Sequence, residues 1–178
     1  MTALAESLLR LSKGLFLTLG FLFFFFISSK QLLASEFNVG SGDTIGLINS
    51  INSANSNSEA DTINLATGSA YTLTSINNVT YSSNGLPVIT SEIIINGYGS
   101  TISRNSGDNF RILAIIAPGK LTINNLTIKD GYSTDNFYGG GGIINLDGKL
   151  FVNDSIVSNN SALIGGGAIL FSGIFLAV

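Results

Sequence analysis

A short pattern of an apolar residue followed by asparagine recurs four times in the chain at nearly constant spacing. The apolar residues are Ile63, Ile95, Ile123 and Val152, and the asparagines that follow them are Asn64, Asn96, Asn124 and Asn153. Successive asparagines are 32, 28 and 29 residues apart. A period of about 20 to 50 residues is typical of folds in which similar units stack on one another. The repeat therefore predicts a solenoid with one pattern in each turn, here called a coil.

The residues around Asn124 indicate how one coil is built. The apolar residues of Leu121–Ile128 can all point inward if Asn124 and Asn125 form a bend between two short strands. Asparagine tolerates left-handed backbone angles, and its amide can bond to the amide of the coil above or below. We therefore predict that the four repeated asparagines form a structural ladder, which explains them without a bound ligand.

Residues 43–55 follow a different period from the rest of the chain. Ile45, Leu47, Ile48 and Ile51 fall at helical spacing after Asp43, which is a suitable N-cap. Because the first coil of a solenoid must be covered, this segment predicts a short amphipathic helix that acts as a lid. Glycine-rich blocks at 139–142 and 165–167 suit turns and close approach between coils.

The predicted fold class is all-β, a right-handed parallel β-helix with a short N-terminal capping helix and an incomplete C-terminal end. The predicted divisions are a signal peptide at 1–35, a cap at 36–60 and β-helix coils at 61–178. Aligning the glycine blocks places Val152 over Ala177, so the next coil is expected to have only begun at Val178. A fragment of a longer protein is one explanation, and end-to-end self-association is the other.

The amino terminus has the order of a secretory signal. Arg10 and Lys13 precede an apolar run from Gly14 to Ile27, and small residues end in Ala34 and Ser35. The run is shorter than the roughly 20 residues that span a bilayer, which favours a cleaved signal over an uncleaved membrane helix. Both alternatives predict export, with membrane contact only through this segment or through an anchor missing from the chain.

Composition excludes several classes of function. The formal net charge is −3, and the eight Lys and Arg residues are scattered, so no basic stripe is available for nucleic acid. Cysteine and histidine are both absent, which removes thiolate and imidazole nucleophiles, bases and metal ligands. We expect no cofactor and no metal.

The chain resembles the bacterial right-handed β-helix surface proteins, the non-enzymatic branch of the pectate-lyase-like superfamily that includes polymorphic outer membrane proteins. The resemblance is carried by the opening segments Ile48–Asn55 and Asp61–Thr74, the repeat Leu121–Ile128, and Gly166–Ile169. The companion Phe-x-x-Asn motif of the polymorphic proteins is represented here only by Ile156–Asn159, which departs from it. The resemblance implies a secreted or cell-surface module that acts as an adhesin or a stalk.

The same superfamily implies an enzymatic alternative, a polysaccharide lyase or glycoside hydrolase whose catalytic coils are missing. Such enzymes place carboxylates on neighbouring coils. In this chain the aligned pairs are Asp154 with Asn125, Asp130 with Asn159, and Asp147 with Ser172, so no two carboxylates share a column. Arg104 and Arg111 could supply a base or an anion contact, but the sequence places neither beside an acidic cluster. We predict that the chain is not an enzyme.

The segment from Asp130 to Tyr138 is the predicted binding loop, because it is four residues longer than its counterpart in the next coil. Insertions in a repeat array become loops on one face. The aromatic residues could stack on sugar rings while polar residues bond hydroxyls. The residues assigned to this carbohydrate contact are Tyr132, Asp135, Asn136, Phe137 and Tyr138. The expected partner is a surface polysaccharide or the surface of a host or neighbouring cell; the alternative is a solvated turn.

Overall fold

The computed structural model describes residues 33–172. These residues form a β-solenoid of about five coils built from parallel strands, with one short helix. The predicted all-β parallel β-helix with a short helix is therefore confirmed. The apolar run of the signal segment and the incomplete coil expected at 173–178 lie outside the described residues.

The strands are short and recur in the same order in successive coils. In chain order they are β1 (Glu36–Val39), β2 (Asp61–Leu65), β3 (Ala70–Leu73), β4 (Glu92–Arg104), β5 (Leu113–Ile116), β6 (Lys120–Lys129), β7 (Tyr132–Ser133), β8 (Ile143–Leu146), β9 (Lys149–Asn153), β10 (Ile156–Ser158), β11 (Ser161–Ala162) and β12 (Ile169–Ser172). The helix α1 (Thr44–Ala54) lies between β1 and β2.

Three parallel sheets form the walls of the solenoid. The largest has seven strands in the order β1-β2-β4-β6-β10, with β3 also paired to β4 and β9 to β6. The second contains β5, β8 and β12, and the third contains β7 and β11. All pairings between these strands are parallel, as expected when each coil lies directly over the previous one.

The bend in each coil lies where the sequence pattern places it. Asn125 and Asp154 occupy equivalent positions just after the ladder asparagines, with φ of 47° and 48°. In β4 the same corner contains three residues, because the register passes from Asn96 opposite Asn124 to Ser100 opposite Leu126. A side chain at Gly97 would meet the Asn125 carbonyl oxygen at 2.5 Å, so only glycine fits under the next coil.

The asparagines at this bend are joined by side-chain hydrogen bonds. Nδ2 of Asn96 donates to Oδ1 of Asn64 at 2.9 Å, Nδ2 of Asn124 donates to Asn96 at 2.9 Å, and Nδ2 of Asn153 donates to Asn124 at 2.8 Å. The ladder extends one coil further than the four residues found in the sequence. Nδ2 of Asn64 lies 3.3 Å from Oδ1 of Asn38, and donates more closely to Glu36 at 2.6 Å.

The stack of strands accordingly begins before Asp61, where the sequence pattern placed the first coil. β1 pairs in register with β2, with Phe37 opposite Ile63 and Asn38 opposite Asn64. The segment 36–60 therefore contributes a first strand as well as the cap. The signal was the run Phe37-Asn38-Val39, which has the same alternation as Ile63-Asn64-Leu65.

The interior of the solenoid is filled by columns of aliphatic side chains. Alternate residues of the stacked strands point inward, so that Ile63, Ile95 and Ile123 are each fully buried in one column. Leu126 and Ile128 continue the apolar lining on the other side of the bend. The residues between them, which are polar apart from Ile94, alternate with the buried ones and are partly exposed.

Helix α1 covers the first coil. Asp43 caps it by accepting a hydrogen bond from the backbone N–H of Gly46 at 2.8 Å. Leu47, Ile51 and Ala54 form one stripe and are fully buried in the core. The expectation that Ile45 belongs to this stripe was wrong, since its side chain is 72% exposed. Ile45 precedes Leu47 by two residues, which places its side chain on the opposite face of the helix.

We expect the lid to contribute strongly to stability through this one stripe. Ile51→Ala should lower the free energy of unfolding by about 2–5 kcal/mol, because it leaves a cavity under the helix. Ile45→Ala is the matched control, and should change stability by less than about 0.5 kcal/mol. Urea unfolding of both variants is the measurement. Equal losses would mean that α1 does not bury the stripe formed by Leu47, Ile51 and Ala54.

The ladder provides a second test. Asn124→Ala removes one donated and one accepted hydrogen bond from the partly buried middle of the row, and should cost about 2 kcal/mol. Asn153→Ala removes one exposed bond and should cost about half as much or less. The two midpoints of urea unfolding decide this, and a larger loss at Asn153 would contradict the ladder's role.

Candidate functional site

The predicted binding loop is held in a tight turn by one of its own residues. Oδ1 of Asp135 accepts hydrogen bonds from the backbone N–H groups of Phe137 and Tyr138, both at 2.7 Å. This is the usual way in which an aspartate side chain closes a turn. Asp135 therefore shapes the loop, whereas the sequence assigned it to contacts with sugar hydroxyls.

The remaining predicted residues differ in how much surface they present. Phe137 is 83% exposed, and Asn136 beside it is also exposed. Tyr132 is half-buried, because it lies in β7 and pairs with Ser161 of β11. Tyr138 is half-buried as well. The loop thus projects one aromatic ring fully into solvent and a second ring at its base.

Tyr138 packs against an aromatic residue that sequence reasoning missed. Its ring meets that of Tyr81 edge to face, with centroids 5.8 Å apart and an interplanar angle of 81°. Tyr81 lies in the long segment between β3 and β4 and is itself 47% exposed. The available signal was the spacing of 32 residues between Asn64 and Asn96, longer than the other two intervals, which indicates an insertion in this coil.

The segment that presents Tyr81 is folded around a buried asparagine. Asn84 has no exposed surface, and its Nδ2 lies 2.8 Å from both Oδ1 of Asn78 and the carbonyl oxygen of Thr80. Tyr81 itself has φ of 52°, in the left-handed region. The hydrogen bonds of Asn84 hold the backbone in this conformation, so the position of the Tyr81 ring is determined by the turn beneath it.

Arg111 connects the loop that carries Tyr138 with the segment that carries Tyr81. Its side chain has no exposed surface, and its Nη2 donates to Oγ of Ser133 at 3.2 Å and to the carbonyl oxygen of Tyr138 at 3.0 Å. Its backbone N–H donates to the carbonyl oxygen of Ser83 at 3.0 Å, which ties it to the segment carrying Tyr81. Arg111 therefore joins both sides of the aromatic pair.

The guanidinium of Arg111 is incompletely compensated in its buried position. Nε and Nη1 have no hydrogen-bond partner among the described residues. Burial lowers the pKa of Arg111 to about 10, and the negative charge of Asp135 opposes this shift. The sequence offered Arg111 only as a base or anion contact, and its bonds to Ser133 and Tyr138 were missed because they form only when two coils are stacked.

The carboxylates are distributed as the sequence predicts, with one correction. Val152 pairs with Ile123 and Asn153 with Asn124, so Asp154 stands over Asn125 at the bend. Ser158 pairs with Lys129, which places Asn159 over Asp130. The alignment of Asp147 with Ser172 was wrong, because Ser172 pairs with Leu146. Four glycines at 139–142 can be matched to the three at 165–167 in two ways; the sequence alignment set Gly142 over Gly167, whereas the strands align Ile143 with Ile169 and so set Gly142 over Ala168. The same shift makes the predicted binding loop three residues longer than its counterpart, not four.

Neither metal-binding clusters nor spanning helices occur within residues 33–172. This part of the chain contains no group of three or more acidic residues close enough to hold a metal ion. No helix in this part of the chain has both the length and the hydrophobicity needed to span a bilayer.

A second surface feature lies on the ladder side of the solenoid. It is an open depression beside Tyr98, which is 47% exposed and donates its hydroxyl to Oδ1 of Asn64 at 3.3 Å. The residues that line the depression are Asn38, Val39, Asn64, Leu65, Ala66, Thr67 and Tyr98. It offers one aromatic ring and two amides, and was not recognised from the sequence because β1 was not expected as a strand.

No protein-family model matches this chain, and neither the curated proteins nor the solved structures contain a match.

We expect Arg111 to control the local order of the binding loop. Arg111→Met should increase hydrogen exchange at the amides of Phe137 and Tyr138 about tenfold or more, because the loop loses its bond to the Tyr138 carbonyl oxygen. Lys149→Met removes an exposed cation and serves as control. Mass-spectrometric exchange on the peptide covering 131–142 is the measurement. Unchanged exchange would mean that Asp135 alone holds the loop.

Proposed function

We propose that this chain is an exported, non-catalytic β-helix module that works as a stalk or adhesin at a cell surface. The observation that carries the proposal is the projection of an aromatic loop, anchored by buried Arg111, from an otherwise regular stack of coils. The order of charged, apolar and small residues at the amino terminus supports export.

The stalk function is supported by the way in which neighbouring coils are joined. The asparagine ladder, the parallel strands and the aliphatic columns each continue from coil to coil. A solenoid of this kind is extended, and it holds its surface loops at fixed positions along its length. These properties suit a part that carries a binding surface away from the cell that bears it.

Binding is assigned to the aromatic loop surface, defined here as Tyr81, Asn136, Phe137 and Tyr138. Phe137 offers an exposed ring face, and the pair formed by Tyr81 and Tyr138 offers a second apolar surface beside it. Sugar rings stack on such faces, while the exposed amide of Asn136 is available to their hydroxyl groups. The proposed ligand is therefore a polysaccharide on a host or neighbouring cell.

The fifth coil, which contains β9 to β12, is proposed to be covered by a further stretch of protein. Its apolar side chains that are exposed include Phe151, Val152, Ile156, Leu163 and Ile164. An exposed strand of this composition is a site for pairing with another chain. We propose that further coils of a longer surface protein pack there, as in the polymorphic outer membrane proteins that Leu121–Ile128 and Gly166–Ile169 resemble. End-to-end contact with a second copy is the alternative occupant.

A panel of purified surface polysaccharides tests the binding surface. At least one of them, held in the gel, should slow the migration of the exported chain in affinity electrophoresis. The Phe137→Ala/Tyr138→Ala variant should bind it about tenfold more weakly or worse. This expectation follows from the loss of two rings worth about 0.5–1.5 kcal/mol each beyond their buried area. Incubating the same polysaccharides with the chain and separating them by size detects depolymerisation, which would favour the enzymatic alternative.

Tyr98→Ala is the matched control, because it removes an exposed aromatic ring at the other surface feature. Binding should be unchanged in this variant. Loss of binding in Tyr98→Ala with normal binding in the loop variant would move the site to the depression beside the ladder. Absence of binding across the panel, with the chain folded, would leave the stalk without the adhesin function.

A further inference from the structure

We propose that export processing cuts the bond between Ala34 and Ser35, and that the new amino group of Ser35 pairs with the buried carboxylate of Asp61. The inference rests on the proposed export of the chain. It moves the end of the signal from residue 35, as the predicted divisions have it, to residue 34, and it gives a structural role to the terminus that the cut produces.

Asp61 is buried at the point where the described chain begins. The residue has no exposed surface, and its Oδ1 accepts a hydrogen bond from the backbone nitrogen of Ser35 at 2.5 Å. Its Oδ2 accepts from Nδ2 of Asn57 at 2.8 Å. The carboxylate thus has two donors, and both are neutral while Ser35 remains an amide.

No cation of the described residues pairs with Asp61. The ion pairs found between residues 33 and 172 join Lys120 to Glu92 and Lys129 to Asp130. A buried carboxylate without a positive partner is costly, and charge-assisted hydrogen bonds are roughly twice as strong as neutral ones. A positive charge on the Ser35 nitrogen would supply the missing partner at an atom already in hydrogen-bonding position.

Hydrolysis of the Ala34–Ser35 bond creates that charge. One water molecule is consumed, the carbonyl carbon of Ala34 becomes a carboxylate, and the nitrogen of Ser35 becomes an ammonium group. An α-amino group has a pKa of about 7.7–8.0 in the absence of other charges, so it is largely protonated at neutral pH. The reaction therefore converts the amide donor at Asp61 into a cation without moving the backbone.

The structure also favours a cut after Ala34 over a cut after Ser35. Ala34 and Ser35 are both small residues that can precede a cut. The carbonyl oxygen of Ser35, however, accepts a hydrogen bond from the backbone N–H of Thr62 at 2.9 Å, which joins Ser35 to β2. A cut after Ser35 would remove this bond and the bond to Asp61. Leu33 and Ala34 are both exposed, so a cut after Ala34 removes no buried residue of the described chain.

The position of the cut is measured by the intact mass of the exported product. The full chain is produced in a bacterial host with a signal peptidase, and the product outside the cytoplasm is expected to begin at Ser35. An exported product that begins at Glu36 or upstream of Ser35 would overturn this inference while leaving export intact. An uncut chain confined to the cytoplasm would overturn the proposed export and the inference with it.

The role of Asp61 is tested by its charge. Asp61→Asn keeps an acceptor oxygen but removes the negative charge, and should raise hydrogen exchange at the amide of Thr62 about tenfold in the processed protein. The same substitution is made in an Ala34→Phe chain, in which the bulky residue blocks the cut and Ser35 stays an amide. Its effect there should be several-fold smaller. Equal effects in the two chains would overturn the ion pair.

Discussion

Every feature of this protein depends on the exact superposition of one coil on the next. Parallel pairing with Ile63, Ile95 and Ile123 in one column brings the following asparagines into a second column. A slip of a single residue would turn the aliphatic side chains outward and break the amide row at the same time. The apolar and polar columns therefore specify the same register independently.

Superposition also determines where the chain can vary. The strands cannot gain a residue without losing register, whereas the corners between them can. The extra residues around Tyr98 leave both flanking stretches of β4 paired with β6, and the insertions carrying Tyr81 and Phe137 likewise leave the sheets intact. Arg111 shows how such insertions are kept together. This buried residue bonds through its side chain to the loop of one coil and through its backbone to the loop of another.

The sequence predicts the features that repeat, and it fails for features that occur once. The solenoid, the bend at Asn125 and the lid after Asp43 follow from periodicity and from the backbone preferences of asparagine and aspartate. Helical spacing alone could not distinguish Ile45 from Ile51, since only the direction of the core decides which stripe is buried. The contact of Tyr81 with Tyr138 joins segments nearly 60 residues apart, and no local sequence pattern predicts it.

The hydrogen bonds of the asparagine ladder all run in one direction. In each step, Nδ2 of the later residue donates to Oδ1 of the earlier one, so the amides form a row of aligned dipoles. At one end of the row the donor of Asn64 is taken by the exposed carboxylate of Glu36 in β1. At the other end of the described row stands an acceptor, Oδ1 of Asn153. The two ends of the amide row are therefore chemically unlike, since one presents an acceptor to a further donor and the other is closed by a carboxylate.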